Sequence, residues 1–163
     1  MWFSLEPIDL EHARSLPDTF ENTALVKAPA ARVFDCFVSD MTRWMPDVRS
    51  VTWMTPEPHG VGTHRVVRLP GLAVHEKFLA WERGRHVAFR LEAASLPLLR
   101  AMVEDLRIEP AGEGLVRVRY AVHYAPLAVA RPLSPLLTPV FAKMFEDGLK
   151  ALGRHAERLQ SAN

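Results

Sequence analysis

The C-terminal stretch sets the strongest condition on the fold. From Ser134 to Gln160 the chain reads SPLLTPVFAKMFEDGLKALGRHAERLQ, and Leu137, Val140, Phe141, Met144, Phe145, Leu149, Leu152, Ala156 and Leu159 recur at spacings of three and four. That period makes one face of a long helix apolar. Lys143, Glu146, Asp147, Lys150, Arg154, Glu157 and Arg158 fall on the other side, with Glu146 and Lys150 spaced as surface neighbours. Such a helix is half solvated, and something broad from earlier in the chain must cover its apolar half. Pro135 and Pro139 suit a helix entry, where a missing amide donor costs little, so the regular part is expected to start between them.

The covering surface is a series of strands. Thr63–Leu69 and Leu72–Glu82 flank Pro70-Gly71, a favourable centre for a tight turn. As a two-residue loop it sets Leu69 opposite Leu72, Val67 opposite Val74, Arg65 opposite Glu76 and Thr63 opposite Phe78. A second loop of that length at Arg83-Gly84 pairs Ala80 with Val87, Phe78 with Phe89 and Glu76 with Leu91. Both hairpins put the same side chains on one face. Ala101 to Glu109 adds a strand with Met102, Glu104, Leu106 and Ile108 on one side. After PAGEG, Leu115 to Tyr124 alternates, with Val116, Val118, Tyr120, Val122 and Tyr124 dry and Arg117 and Arg119 wet.

Upstream, residues 1–17 end at Pro17 and read as an N-terminal extension with room for one short helix. Phe20–Lys27 reads as a strand, Ala28-Pro29 opens an amphipathic helix carrying Val33, Phe34, Phe37 and Val38, Met41–Trp44 gives a further helical turn, and Val48–Met54 returns to strand. A one-faced sheet followed by a one-faced helix packs as sheet around helix. The predicted class is therefore α+β, with a curved antiparallel sheet of about six to seven strands wrapped around the C-terminal helix, in one domain over residues 18–160. A sheet that curls without closing leaves a gap able to serve as a ligand cavity.

Bulk properties remove several functions. Twenty Lys plus Arg against 19 Asp plus Glu give a net charge of +1, which supplies no footprint for nucleic acid. No apolar run reaches the length of a membrane span, and Glu6, Asp9 and Glu11 interrupt any signal-like core, so the expected location is cytoplasmic. Cys36, the single cysteine, lies in an apolar helical stretch and reads as a packing residue. No His and Cys spacing matches a zinc site, and no phosphate loop, dinucleotide fingerprint or Gly-x-Ser-x-Gly turn occurs. Neither metal nor cofactor is expected. His64, His75, His86 and His123 all point away from the apolar face, toward solvent.

Two carboxylates break the apolar pattern. Glu76, between Val74 and Phe78 on its face, needs a partner there, and Arg65 stands across from it. The two form either a structural ion pair in the cavity wall or a polar anchor for a ligand, with an acid/base role open to them. Glu104 poses the same problem, with Tyr120 as its expected neighbour; the two either satisfy each other or orient a ligand and move a proton, with a raised carboxyl pKa. Val67, Phe78 and Phe89 on the sheet and Phe141, Met144 and Phe145 on the helix supply the apolar walls.

The order of elements, the APAARVFDCFVSDMTRWMPDV segment, the glycines of HGVGT, the VHEKFLAWERGRHVAFR hairpin and the terminal FEDGLKALGRHAERL helix together resemble the START-like, or SRPBCC (Bet v 1-like), superfamily with the helix-grip fold. Within it the chain is most similar to the polyketide cyclase/dehydrase and lipid-transport relatives. The resemblance spans about residues 18–160 and implies a cavity between sheet and long helix for a lipid, polyketide, quinone or similar hydrophobic molecule. It implies one of three roles: a carrier or sensor of that molecule, a polyketide cyclase, aromatase or dehydratase working through Arg65, Glu76, Glu104 or Tyr120, or a chaperone-associated interaction module. The carrier or sensor is preferred, because the resembling cyclases act through a cavity arginine and tyrosine and here the inward arginine faces a glutamate.

Overall fold

Turn chemistry fixes the sheet. Gly71 takes φ 73°, a conformation that costs a Cβ-bearing residue energy, and it closes the tight link between β4 (His64–Leu69) and β5 (Leu72–Glu82). The resulting register pairs Leu69 with Leu72, Val67 with Val74 and Arg65 with Glu76, as the turn length predicts. The link to β6 (His86–Ala94) differs from expectation. Three residues, Arg83 to Arg85, make the turn, so Trp81 faces Val87 and Ala80 faces Ala88. An irregularity between Phe78 and Ala80 absorbs the extra residue and restores Phe78 opposite Phe89 and Glu76 opposite Leu91. Gly84 sits at φ 79°, and a Cβ there would lie 3.3 Å from the backbone nitrogen of Ala31, so this turn also lets a helix approach.

The computed structural model describes residues 1–162, with every side chain among them except that of Leu137. In chain order the remaining elements are β1 (Phe3–Ser4), a 3-10 helix (Leu10–Ser15), β2 (Asp18–Val26), α1 (Ala30–Ser39), α2 (Met41–Trp44), β3 (Ser50–Trp53), β7 (Leu99–Gly112), β8 (Leu115–Pro126), a 3-10 turn (Arg131–Leu133) and α3 (Ser134–Ser161). The antiparallel sheet runs β2-β8-β7-β6-β5-β4-β3, and β1 pairs with the end of β6. No helix among the described residues is long and apolar enough to cross a membrane.

The dry face of the sheet carries Val67, Phe78, Val87, Phe89, Leu106, Val118 and Val122, each at most 2% exposed. Onto it α3 lays Phe145, Leu149, Leu152 and Ala156. At roughly 1.5–3 kcal/mol for each large apolar side chain buried, this face is what holds the helix to the sheet. Gly148 and Gly153 tighten the contact, since a Cβ would lie 3.3 Å from the Met45 sulfur in one case and 3.2 Å from Val26 Cγ2 in the other.

The entry of α3 departs from the sequence reading. The helix starts at Ser134, with Pro135 in its first turn and Pro139 inside it, both exposed. Pro139 leaves a carbonyl one turn back without its usual donor, and solvent at the exposed face makes that tolerable. Val140, placed by spacing in the apolar stripe, is 64% exposed because the sheet has curved away at this level. Leu137, assigned to the same stripe, lies outside the described side chains.

Residues 1–17 are built into the sheet. β6 pairs with β7 only from His86 to Arg90, and beyond that β1 takes β7's place beside Ala93 and Ala94. Leu5 N–H donates to Glu92 O on one side and Glu6 N–H to Arg100 O on the other, so the segment fills the split between the two strands. Ile8 and Leu16 then cover Ala101 and Ala125 on the outer face of the sheet. That cover buries His123 to 7%, with its Nδ1 2.9 Å from Thr19 Oγ1. Its side chain points away from the dry face as alternation required, yet a second layer hides it from solvent; His64, His75 and His86 remain partly exposed.

Candidate functional site

Where α3 rises off the curved sheet, a cavity of about 180 Å³ opens between them. β4 gives it Val67 and Leu69, β5 gives Leu72, Val74 and Glu76, β6 gives Phe89 and Leu91, β7 gives Met102 and Glu104, and β8 gives Tyr120 and Tyr124. Phe141, Met144 and Phe145 form the helix-side wall, and Met41 and Met45 close it from α2. Alternation on β5, β7 and β8 aims Glu76, Glu104 and Tyr120 inward at one level, where they form a polar floor under apolar walls.

The floor has a backing layer. Arg65, fully buried, donates from Nε to Glu76 Oε2 at 2.5 Å and from Nη1 to the Val38 carbonyl at 3.1 Å. Its guanidinium carbon lies 5.4 Å, 4.9 Å and 5.3 Å from the ring centroids of Trp53, Phe78 and Phe89. Three aromatic faces around a desolvated cation offset part of its burial cost. Nη2 has no hydrogen-bond partner among the described residues. Arg65 and Phe78 therefore stand behind the cavity wall, whereas Val67, Glu76, Phe89, Glu104, Tyr120, Phe141, Met144 and Phe145 are in it. Among the described residues no lysine, arginine or histidine lines the cavity.

Protonation follows from burial. Desolvation pushes the Glu104 carboxyl up to about 8, the negative charge of Glu76 adds to this, and the hydrogen bond donated by Tyr120 Oη to Glu104 Oε2 partly opposes it. Glu104 is thus a neutral acid near pH 7. Burial also raises the Glu76 carboxyl, against the pull of Arg65, and keeps the Tyr120 phenol well above its ordinary value. The register pairs Glu104 with Val122 and Tyr120 with Leu106, so the expected Glu104–Tyr120 contact is made on the diagonal, a register that the length of the intervening loop does not fix. Chemically, the floor offers an O–H donor and acceptor oxygens, and no cation.

Spacing alone did not mark Met41, Met45, Leu91, Met102 or Tyr124 as lining. Leu91 and Tyr124 were within reach, being the partners of Glu76 and of the Tyr120 alternation. Met102 shares the face of Glu104 on β7 and was equally within reach, whereas Met41 and Met45 depended on how α2 folds over the sheet edge. Tyr124 also shares a hydrogen bond of 2.5 Å with Thr138 Oγ1 on α3, fastening the helix entry to β8.

Two other clusters lie outside the cavity. Cys36, Asp40 and His155 present ligand atoms within 4.8 Å of one another, with His155 Nε2 3.1 Å from Asp40 Oδ2. Burial pushes the Cys36 thiol up to about 11, so it holds its proton, and the pair it adjoins ties α3 to the end of α1. On the outer face Arg14, Thr19, Glu21, Asp105, Arg107, Arg119 and His123 border a polar cleft of about 340 Å³. This cleft is larger than the cavity, but its charges are paired with one another, as Arg107 Nη2 is with Asp105 Oδ2 at 3.3 Å. The apolar cavity is the better ligand site.

The profile of the family described as polyketide cyclase / dehydrase and lipid transport matches residues 17–157. Proteins of Mycobacterium tuberculosis and Mycobacterium bovis, named only as uncharacterized, are 28% identical over 158 residues, which is 95% of this chain and 94% of theirs. A START superfamily protein from Mycobacterium smegmatis superposes with a TM-score of 0.72 at 13% identity, over 86% of this chain and 98% of that one. The Streptomyces aromatase/cyclase Zhui gives 0.70 at 17% identity, over 86% and 94%. A major latex-like protein from Panax ginseng gives 0.67 at 16% identity, over 86% and 98%. At these identities the superpositions show a shared fold, in which a curved sheet holds a long helix.

Proposed function

We propose that this chain, which belongs to the polyketide cyclase / dehydrase and lipid transport family, binds a hydrophobic small molecule as a carrier or sensor. The observation that carries this reading is the cavity itself, whose walls are apolar apart from the Glu76, Glu104 and Tyr120 floor and the hydroxyl-bearing Tyr124 and Ser134 near the helix entry. An apolar cavity of ~150 Å³ is enough for a benzene-sized guest. The 180 Å³ present here therefore suits one substituted ring or a short stretch of chain, and a larger molecule would leave part of itself outside.

The floor selects among such molecules. A carboxylate head group would meet Glu76 with no cation beside it, because the charge of Arg65 is spent behind the wall on Glu76. A neutral ligand with a carbonyl or ether oxygen accepts a hydrogen bond from the protonated Glu104 and is favoured. The same placement of Arg65 weakens the case for a cyclase, because it leaves no cation for the oxyanion that forms and only the Glu104 O–H as donor. One observation favours a second reading, a dehydratase-type enzyme: Glu104, with a pKa of about 8, could act as a general acid near neutrality.

Native mass spectrometry of the purified protein, followed by solvent extraction, separates these readings. A carrier retains one neutral apolar molecule of defined mass. A protein that is empty, and that gains no thermal stability from quinones, short-chain lipids or aromatic ketones, contradicts the carrier and shifts weight to an enzyme that releases product or to an interaction surface.

A further inference from the structure

Leu96 and Leu98, between β6 and β7, line the cavity and are nevertheless 41% and 43% exposed, so they mark its mouth. The opposite lip is the segment from β8 into α3, where Val129, Leu133 and Leu136 are 84%, 52% and 72% exposed. A hydrogen bond of 3.1 Å from Leu127 N–H to Leu98 O joins the two lips. Trp2, 47% exposed, comes one residue before Phe3, whose pairing with Ala94 brings the N-terminus alongside the Leu96 lip. Single exposed apolar residues are ordinary on any protein, but a group of them around one opening marks an interaction site.

Apart from Glu6, which pairs with Arg100, the charge of this rim is positive. Residues 93–103 and 125–142 contain two ionisable side chains, Arg100 and Arg131, and no acidic one. Arg100 is held by Glu6 at 2.6 Å, while Arg131 is exposed beside Leu133. We propose that the rim docks the cavity mouth onto the surface of a bilayer containing anionic lipid. Leucine and valine side chains would enter the boundary between head groups and acyl chains, Trp2 would sit at head-group level, and Arg131 would meet phosphate. Docking of this kind lets an apolar molecule pass between bilayer and cavity without crossing water, and covers whatever part of it the cavity is too small to enclose. It rests on the ligand-binding reading for its purpose, but the affinity of the rim for lipid stands on the rim alone.

The test is co-sedimentation with vesicles of equal parts phosphatidylglycerol and phosphatidylcholine, and with phosphatidylcholine alone. The wild type is compared with a Val129→Asp, Leu136→Asp double variant; neither residue lines the cavity. The expected result is that the wild type pellets with the anionic vesicles and less with the neutral ones. The variant loses binding by at least about tenfold, while its unfolding midpoint and its affinity for acetophenone, a one-ring cavity probe, stay unchanged. A wild type that binds the probe but no vesicles overturns the docking and leaves the ligand reading intact. Vesicle binding that the double variant retains, or wild-type self-association without lipid that the variant abolishes, also overturns it, the latter by making the rim an interface between copies. Vesicle binding lost in the variant, with no probe bound by either protein, supports the docking and strikes the ligand reading instead.

Discussion

Glu104 couples the cavity to pH. Its folded pKa of about 8 lies above the ordinary value of 4.5, so folding holds a proton that the unfolded chain releases across that interval. The sign follows: this stability is fully present below pH 4.5, declines as pH rises toward about 8, and changes no further above it. The expected slope is a loss of about 1.4 kcal/mol per pH unit. Glu104→Gln keeps an amide oxygen for Tyr120 to donate to and removes the proton, so urea unfolding at several pH values is expected to show a slope shallower by about one proton. An unchanged slope would place the titration elsewhere. Both buried carboxylates were legible in the sequence, because alternation put charge where an apolar side chain belonged. Arg65 was legible as the partner of Glu76 for the same reason. What could not be read was which side of the wall Arg65 occupies, since that depends on Val38 O and three rings brought in from other elements.

The helix entry carries the clearest conflict between local preference and structure. Pro139 sits inside α3 and forfeits one backbone hydrogen bond where the helix leaves the sheet, next to Phe141 of the cavity wall. Pro139→Ala restores the donor, against a smaller loss from a more flexible unfolded chain, for an expected net gain of about 1–2 kcal/mol. If the first turns of α3 move to admit ligand, the same variant releases a bound probe more slowly, which stopped-flow dissociation would read. Equal stability and equal release would mean that the entry is held by the Tyr124–Thr138 contact instead. Element boundaries and both hairpins were largely readable because turn residues and period-two alternation are local signals. The third turn residue at Arg85 and the compensating irregularity after Phe78 were not, since a two-residue and a three-residue loop agree from Phe78 onward. The place of residues 1–17 was equally hidden, as nothing in a short segment of mixed polarity announces a split between two distant strands.

For the whole molecule, the sheet and α3 share one apolar interface that is complete around Leu149 and Leu152 and incomplete around Phe141 and Met144. A void kept open in an otherwise packed core forgoes dispersion contacts, and a ligand that fills it restores them. Calorimetric titration with acetophenone, a one-ring neutral ketone, in the wild type and in Leu91→Trp, bears on this most directly, because Leu91 lies opposite Glu76 and projects into the cavity. Saturable one-to-one binding by the wild type, weakened at least about tenfold in a variant that stays folded, is the result expected. Binding of equal strength to both proteins, or no saturable binding to the wild type, would contradict the cavity as the site at which this protein works.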